Sequence, residues 1–263
     1  MDKTNTTIHV ENLEIGYLQK KKKTAISSNI NFKLSQGELT AVVGINGVGK
    51  STLLRTLANL QPALLGAIHF HNSPVTTFSP NEFATMVSVV LTEPIAAKTL
   101  TVFELIALGR QPYTNWIGSL SEKDIIKVNE AINWVDLKAL QHKKCYQLSD
   151  GQLQRVLIAR ALAQDTPIIL LDEPTSHLDL YHKVTILKLL KNIAHNTNKT
   201  IVYTTHEIAF SIQLCDKIVV LDTDGNHAFG APCSLIEENK FSTLFPKDTI
   251  TFEPQTGTFK VTS

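Results

Sequence analysis

The chain reads Gly44-Ile45-Asn46-Gly47-Val48-Gly49-Lys50-Ser51 directly after a short apolar run, Leu39 to Val43. This loop fits the pattern G-x-x-x-x-G-K-[ST] without a mismatch. Its glycines let the backbone curl so that successive N–H groups point at a phosphate, and the positive end of a following helix strengthens that attraction. Lys50 would reach the outer phosphates, and the Ser51 hydroxyl would ligate Mg²⁺. The loop therefore predicts a nucleotide-binding site.

The residues after the loop have helical periodicity. Leu53, Leu54, Leu57 and Leu60 share one face, which predicts a helix from Ser51 to Leu60. A strand, a glycine-rich loop and a helix in this order indicate the start of a nucleotide-binding α/β core.

Composition limits the class of protein. The 263 residues are 43% hydrophobic and 19% charged, which is enough apolar material for a sizeable core. Lys and Arg number 25 against 24 Asp and Glu, so no excess of positive charge favours nucleic acid. The longest apolar runs, such as Pro167 to Leu171, have the length of strands, and the polar N-terminus has no secretory signal. With three widely spaced cysteines, we expect a soluble intracellular protein with reduced thiols and no metal cluster of cysteines.

Alternating strands and helices surround a helical middle region. Helical spacing dominates between about residues 81 and 147, for example in Glu122 to Leu137, where Ile125 lies on the apolar stripe. The segments expected to form strands are Thr7 to Tyr17, Ile30 to Leu34, Leu39 to Val43, Ile168 to Leu171, Thr200 to Thr204, Lys217 to Leu221 and a hairpin within Thr249 to Val261. This order predicts an antiparallel N-terminal β section, a mostly parallel sheet and an inserted helical sub-lobe. The lysine run Lys20 to Lys23 is interpreted as a solvated hairpin tip, with a lipid-headgroup contact as the alternative.

Two carboxylates end the strand Ile168 to Leu171. Because such a strand presents its carboxyl end to the phosphate loop, Asp172 would hold Mg²⁺ and Glu173 would act on the attacking water as general base. The alternative is an acidic strand cap before Pro174.

Upstream of these acids the chain reads Leu148-Ser149-Asp150-Gly151-Gln152 before a helical stretch. Taken alone, this segment is a turn and a helix cap. Together with the phosphate loop, the Asp-Glu strand end and a later Thr-Thr-His-Glu segment, it resembles the ATP-binding subunit of an ABC transporter from Tyr17 to about Leu235. The resemblance implies an α/β P-loop NTPase fold in one domain, with residues 1–91 and 151–245 as the nucleotide-binding core, 92–150 as the helical sub-lobe and 246–263 as a small C-terminal hairpin.

The resemblance also implies roles for individual residues. Tyr17 would stack on adenine (a packing aromatic is the alternative), Asp179 would cross the dimer interface, and His206 would contact the γ-phosphate and the attacking water. Other histidines, among them His9 and His69, are expected to be surface or structural. The residues implied to touch nucleotide are Tyr17, Gly44, Ile45, Asn46, Gly47, Val48, Gly49, Lys50, Ser51 and Thr52. The residues implied to reach the nucleotide of the opposite subunit are Ser149, Asp150, Gly151 and Gln152.

The chain departs from the family pattern at two positions. Residues 148–152 match the family's signature segment, Leu-Ser-Gly-Gly-Gln, except that Asp150 replaces its first glycine, where we expect little loss. The family's glutamine between the core and the sub-lobe is missing, and either Thr92 or Glu93 takes its place. Glu93 is our hypothesis for the Mg²⁺ contact, because its side chain reaches further and carries charge.

The resemblance implies two copies arranged head to tail around two ATP molecules with Mg²⁺, on the cytoplasmic face of the membrane. The partners would be integral membrane permease subunits and, indirectly, a substrate-binding protein, with no nucleic acid. The segments Thr101 to Leu105 and Ala107 to Tyr113 resemble the ATPases that import iron-siderophores, haem or cobalamin; the alternative for the first segment is simply the start of an amphipathic helix. The alternatives are an exporter ATPase, an ABC ATPase of ribosomes or DNA, and a non-catalytic subunit; the last is disfavoured because Glu173 and His206 are present.

Overall fold

A computed structural model describes residues 6–19, 22–92, 98–115, 118–245 and 248–262. The strands are β1 (Thr6–Gln19), β2 (Lys22–Ser35), β3 (Leu39–Val43), β4 (Leu65–Phe70), β5 (Ser73–Pro74), β6 (Val87–Val90), β7 (Ile168–Leu171), β8 (Thr200–Thr205), β9 (Lys217–Leu221), β10 (His227–Gly230), β11 (Ile250–Glu253) and β12 (Thr258–Val261). The α-helices are α1 (Lys50–Leu57), α2 (Pro80–Met86), α3 (Val102–Ala107), α4 (Glu122–Trp134), α5 (Asp150–Ala163), α6 (Leu180–Thr197), α7 (Ile208–Leu214) and α8 (Pro232–Glu237). In these ranges, no helix has the length and apolar character needed to cross a membrane.

The main sheet has the strand order β10-β9-β3-β8-β7-β6. β3 is parallel to β8 and β9, β7 is parallel to β6 and β8, and only β10 at the edge is antiparallel. This arrangement confirms the mostly parallel sheet. Because parallel strands share their direction, the carboxyl ends of β3, β7 and β8 lie along one edge, and the phosphate loop and the Asp-Glu pair meet there.

A second sheet, ordered β2-β1-β4-β5, is antiparallel and covers one face of the main sheet. Apolar side chains of β1 and β2, such as Ile8 and Leu34, form a buried cluster with α1 and with Leu170 and Val202 of the main sheet. A larger cluster on the other face joins α3 to α7 to the same strands. The N-terminal β section is therefore a layer packed on one face of the main sheet.

Four expectations are corrected by the structure. α1 ends at Leu57 instead of Leu60, because Asn59 takes a left-handed backbone (φ 53°) and Leu60 is left 57% exposed. Ile125 is exposed on α4, as is Ile126, whereas Val128, Ala131 and Ile132 of the same helix are buried. β2 begins at Lys22 instead of Ile30, since its exposed polar half pairs along β1 without an apolar pattern. β6 lies within residues 81–147, where helical spacing is expected to dominate, and β4, β5 and β10 are further strands outside the predicted segments, because these short strands show no clear alternation of apolar and polar residues.

The hairpin at the C-terminal end forms as expected. β11 and β12 pair antiparallel across the turn of residues 254–257, and Phe252 packs on Phe241. Of the lysine run expected to form a hairpin tip, Lys22 and Lys23 are exposed residues of β2, and Lys20 and Lys21 lie outside the described residues.

A buried ion pair holds the helical lobe together. The Arg110 guanidinium donates from Nε to Asp124 Oδ1 (2.8 Å) and from Nη1 to the carbonyl of Ala163 (2.8 Å). Tyr113 covers the guanidinium, with Arg110 Cζ 3.9 Å from the ring centroid. At Gly109 a Cβ atom would lie 2.2 Å from the carbonyl oxygen of Arg160, so only glycine fits. The segment Gly109 to Tyr113 therefore packs between α4 and the end of α5 and contacts both.

Replacing Arg110 by methionine is expected to lower the free energy of unfolding by about 3–5 kcal/mol, because the Asp124 carboxylate would remain buried without its cation. The exposed Lys123→Met on the same lobe is the control and is expected to change stability by less than about 0.5 kcal/mol. Urea unfolding measures both values, and equal stability of the two variants would contradict the role given to the pair.

Candidate functional site

The phosphate loop requires glycine for two separate reasons. Gly49 is the N-cap of α1 and has φ 106°, a left-handed conformation that side chains rarely adopt. A Cβ atom on Gly49 would also lie 2.8 Å from Cγ2 of Ile26 in the covering sheet. Gly47 is left-handed as well (φ 84°), with open space around it. The loop thus exposes backbone N–H groups beside the N-terminus of α1, where an anion is stabilised.

Lys50 is buried beneath this loop. Its ammonium group donates to the carbonyls of Gly44 and Ile45, each at 3.0 Å. Burial lowers the pKa of Lys50, and the nearby carboxylates of Glu173 and Asp172 act in the opposite direction. The structure therefore brings a cation of the loop to the acids at the end of β7.

Ser51 and Asp172 meet at the carboxyl edge of the main sheet. The Ser51 hydroxyl donates to Asp172 Oδ1 at 2.8 Å, and the hydroxyl of Thr204, at the end of β8, donates to the same oxygen at 2.6 Å. Asp172 is buried, so these bonds hold its carboxylate in one orientation. Hydroxyl and carboxylate oxygens are the donors that Mg²⁺ prefers.

Glu173 has a strained backbone with φ 44°, unusual for a residue with a side chain. Its N–H donates to the hydroxyl of Thr204 at 2.9 Å, which holds this conformation in place. His206 follows β8, and its Nδ1 atom lies 3.8 Å from Glu173 Oε2. The structure thus places both residues expected to act on water at one point.

Thr204 is the site residue that the sequence analysis missed. A threonine inside a strand is ordinary, because β-branched residues favour strands, and nothing in its local pattern marks it as polar and functional. The only available signal was its place at the end of a strand expected to lie beside the strand of Asp172.

Thr204→Val should reduce the ATP hydrolysis expected from the family resemblance about 10- to 100-fold with little change in nucleotide affinity, because it removes the contacts that orient Asp172 and Glu173. Thr40→Val on β3 is the matched control, since Thr40 Oγ1 is buried with no hydrogen-bond partner among the described residues. Losing an unpartnered hydroxyl is expected to be neutral or stabilising. Steady-state hydrolysis and nucleotide titration of both variants provide the test, and equal hydrolysis rates would contradict this role for Thr204.

A cleft of about 410 Å³ opens above the phosphate loop. It is lined by Tyr17, Ile26, Asn46, Gly47, Gly49, Lys50, Ser51, Thr52 and Glu173. Tyr17 is 51% exposed there, and its hydroxyl lies 3.2 Å from Thr52 Oγ1, so the ring presents a free face to the cleft. Among the described residues, none of the signature segment from Ser149 to Gln152 lines this cleft.

The signature segment forms the N-terminus of α5. Ser149 and Gln152 make a reciprocal cap: the Ser149 Oγ accepts from the Gln152 N–H (3.3 Å), and the Gln152 side chain accepts from the Ser149 N–H (3.1 Å). A Cβ on Gly151 would lie 2.8 Å from the His182 ring. His182 in turn is bound by Asp179, whose carboxylate accepts from its backbone N–H (2.9 Å) and lies 2.8 Å from its Nδ1. His182 therefore contacts both the signature segment and Asp179.

Thr92 is the described member of the pair, Thr92 and Glu93, that is expected to take the place of the family's glutamine. Its hydroxyl donates to the backbone carbonyl of Asp172 at 3.2 Å. Glu93, the residue favoured from the sequence, lies outside the described residues. Thr92 also lines a second cavity of about 310 Å³ that runs from Asp172 and Glu173 to Asp150 at the start of α5.

A family model described as ABC transporter matches residues 27–176, more than half of the chain. The chain belongs to the ABC transporter family. It is thus an ATPase, which agrees with the phosphate loop and the acids described above.

Relatives and solved structures extend this likeness beyond the matched range. The petrobactin import ATP-binding protein of Bacillus anthracis is 35% identical over 90% of this chain and 87% of its own length. The iron(3+)-hydroxamate import ATP-binding protein of Bacillus subtilis (strain 168) is 32% identical over 82% of this chain and 78% of its own. A metal-chelate type ABC transporter in an inward-facing conformation aligns with a TM-score of 0.79 at 30% identity, covering 92% of this chain and 89% of that one. A dimeric ATP-binding cassette in a post-hydrolysis state, bound to ADP and phosphate, aligns with a TM-score of 0.71 at 28% identity, covering 86% and 98%.

Proposed function

We propose that this ABC ATPase is the energy-supplying subunit of an importer whose cargo is of the iron-siderophore, haem or cobalamin type. The observation that supports an active ATPase most strongly is the meeting of Ser51, Asp172, Glu173 and His206 at the carboxyl edge of the parallel strands. A nucleotide-gated subunit without catalysis would not need an acid and a histidine held beside the phosphate loop.

Nucleotide binding is assigned to the cleft above the loop. The loop N–H groups and Lys50 bind the phosphates, and the exposed face of Tyr17 stacks on the base. The oxygens of Ser51 and Asp172, 2.8 Å apart, fit a hard cation, so these residues would hold Mg²⁺. When bound, Mg²⁺ would neutralise charge on the phosphates.

Hydrolysis is assigned to Glu173 and His206. The Glu173 carboxylate orients the attacking water and accepts its proton at Oε, while His206 contacts the γ-phosphate and the same water. The Thr204 hydroxyl keeps Glu173 aimed at this point by accepting a hydrogen bond from the Glu173 backbone N–H.

The complete site needs a second copy of the chain. The signature segment does not line the cleft of its own chain, so Ser149, Asp150, Gly151 and Gln152 would close the cleft of the opposite copy, with Asp179 at the interface. ATP bound between the copies would favour a closed dimer, and hydrolysis would release it.

The membrane partners follow from the proposed transport role. Residues 92–150 would form the sub-lobe that contacts permease subunits on the cytoplasmic face, residues 1–91 and 151–245 the core, and residues 246–263 a small addition. Either Thr92, which contacts Asp172, or Glu93 would report the state of the site to this sub-lobe. The cargo would reach the permease through a substrate-binding protein, and the names of the petrobactin and iron-hydroxamate relatives support the cargo class.

Ser149→Asp is expected to abolish the ATP-dependent dimer. Aspartate caps a helix as well as serine does, but its charge would face the phosphates held by the opposite copy. Ser149→Asn is the matched control, because it keeps the cap without the charge. Both variants are made in a chain that also carries Glu173→Gln, so that ATP is not hydrolysed, and their molecular size is measured with ATP. Equally stable dimers of the Ser149→Asp and Ser149→Asn variants would contradict the composite site.

The transport role is tested by co-purification and reconstitution. The chain should purify with a many-helix membrane protein, and in proteoliposomes with the binding protein its ATPase should be stimulated by a ferric siderophore, haem or cobalamin. Capture of ribosomes instead would overturn the transporter proposal. Stimulation of the ATPase by a cargo that is supplied on the cytoplasmic side and moved outward would favour an exporter.

A further inference from the structure

Two histidines and one glutamate meet on the outer face of the antiparallel sheet. His9 and Glu11 are two residues apart on β1, so their side chains point to the same face, opposite the buried Ile8 and Val10. The register of β1 with β4 places His69 directly across from His9. The spacing of residues in the sequence does not link His69 to His9 and Glu11. The pairing of β1 with β4 brings the three together.

The ligand atoms of the three side chains are close enough for one ion. His9 Nε2 lies 3.1 Å from Glu11 Oε1, and His69 Nδ1 lies 3.9 Å from Glu11 Oε2. All three ligand atoms lie within 4.8 Å of one another, and the two rings are 5.9 Å apart. Ligand atoms bound at 2.0–2.1 Å to a tetrahedral Zn²⁺ are about 3.3 Å apart. Small side-chain rotations would therefore complete the geometry.

The His69 ring adds an observation of its own. Its Nδ1 atom is buried and has no hydrogen-bond partner among the described residues, although a buried nitrogen of this kind normally has one. This nitrogen is directed at the Glu11 carboxylate at a distance too long for a hydrogen bond. An ion between the two would satisfy both groups.

The charges around the cluster are mixed. Burial lowers the pKa of His9, and Lys33, opposite His9 on β2, lowers it further, whereas the Glu11 carboxylate acts in the opposite direction. A metal ion binds the neutral form of a histidine ring. Lys33 is exposed and can turn its ammonium group into solvent. On the other side, the neighbour of His69 is the uncharged Pro74 on β5.

We propose that His9, Glu11 and His69 form a binding site for one divalent transition-metal ion, with Zn²⁺ as its simplest occupant. Imidazole nitrogens select zinc, copper and nickel over Mg²⁺, and three protein ligands leave a fourth position for water. The site is separate from the nucleotide cleft, because Tyr17 lies eight residues further along β1, roughly 26 Å at 3.3 Å per residue. A bound ion would tie β1 to β4 and stabilise the covering sheet.

Calorimetric titration with Zn²⁺ tests this site. The chain carries no added histidines, is treated with chelator beforehand, and is titrated in the absence of nucleotide. We expect one Zn²⁺ per chain, an increase in melting temperature on binding, and at least about tenfold weaker binding in His69→Gln and Glu11→Gln, since even the loss of an outer-shell partner weakens metal sites 10- to 100-fold. His142→Gln, an exposed histidine in the helical lobe, is the control and should bind as the wild type does.

Circular dichroism and the melting temperature without metal establish that each variant is folded. Co²⁺ offers a second readout, since ligation by nitrogen and oxygen in four-coordinate geometry gives visible absorption that the His69→Gln variant should lose. Zn²⁺ binding and Co²⁺ absorption that are unaffected by both cluster substitutions would overturn the proposal, as would a loss in the His142→Gln control equal to the loss in the cluster variants.

Discussion

Replacing Glu173 by glutamine is expected to lower ATP hydrolysis by about 10²- to 10⁴-fold, the usual contribution of a positioned general base. The amide cannot accept a proton from water, yet it has the size of the carboxylate and keeps the hydrogen bond from its backbone N–H to Thr204. Lys50, Ser51 and Asp172 are untouched, so ATP should bind normally. The variant should therefore accumulate as the ATP-bound dimer.

Hydrolysis rate, nucleotide affinity and molecular size measured together test this prediction. Glu122→Gln at the exposed start of α4 is the control and should behave as the wild type in all three. A glutamine variant at position 173 that hydrolyses ATP at more than a tenth of the wild-type rate would remove Glu173 from the role of base. A monomer in ATP would contradict the composite site while leaving the base in place.

Lys50→Ala is expected to weaken ATP binding by on the order of 100-fold or more. Hydrogen bonds to charged groups are worth about 1.5–3 kcal/mol each, and the ammonium group is placed to contact two phosphates. The loop carbonyls that Lys50 contacts would also lose their partner. Because the cation opposes the charges of Asp172 and Glu173, its loss would leave two acids facing the phosphates.

Titration with a fluorescent ATP analogue measures this loss. Lys138→Ala, exposed in the helical lobe and outside the cleft, is the control for removing one positive charge. Wild-type affinity in the Lys50→Ala variant would overturn the assignment of the phosphate loop.

The parts of the site that the sequence predicts are those with local patterns. The phosphate loop and the Asp172-Glu173 pair each lie next to a strand whose apolar run has the observed bounds, β3 and β7. Buried parallel strands are apolar throughout, so their extent is visible in the sequence. The cap at Ser149 is equally local, and its alternative interpretation as a helix cap is also correct.

The parts that the sequence did not predict depend on pairing between distant segments. Thr204 acts only because β8 lies beside β7, and His9 meets His69 only through the register of β1 and β4. The segment containing Arg110 shows the opposite case. Its sequence resembles that of a family of import ATPases, and the structure shows what these residues do: Arg110 forms a buried ion pair with Asp124, and Gly109 packs where no side chain fits.

Specific ATPase activity measured against protein concentration tests most directly whether the catalytic site is shared between two copies. The protein concentration is varied over a hundredfold range in which molecular size shows the change from monomer to dimer. Activity per chain should rise steeply and then level off where the dimer is complete, because each cleft needs the signature segment of another chain. Activity per chain that stays constant where the protein is monomeric would show that one copy hydrolyses ATP alone, and the two-copy site would be wrong.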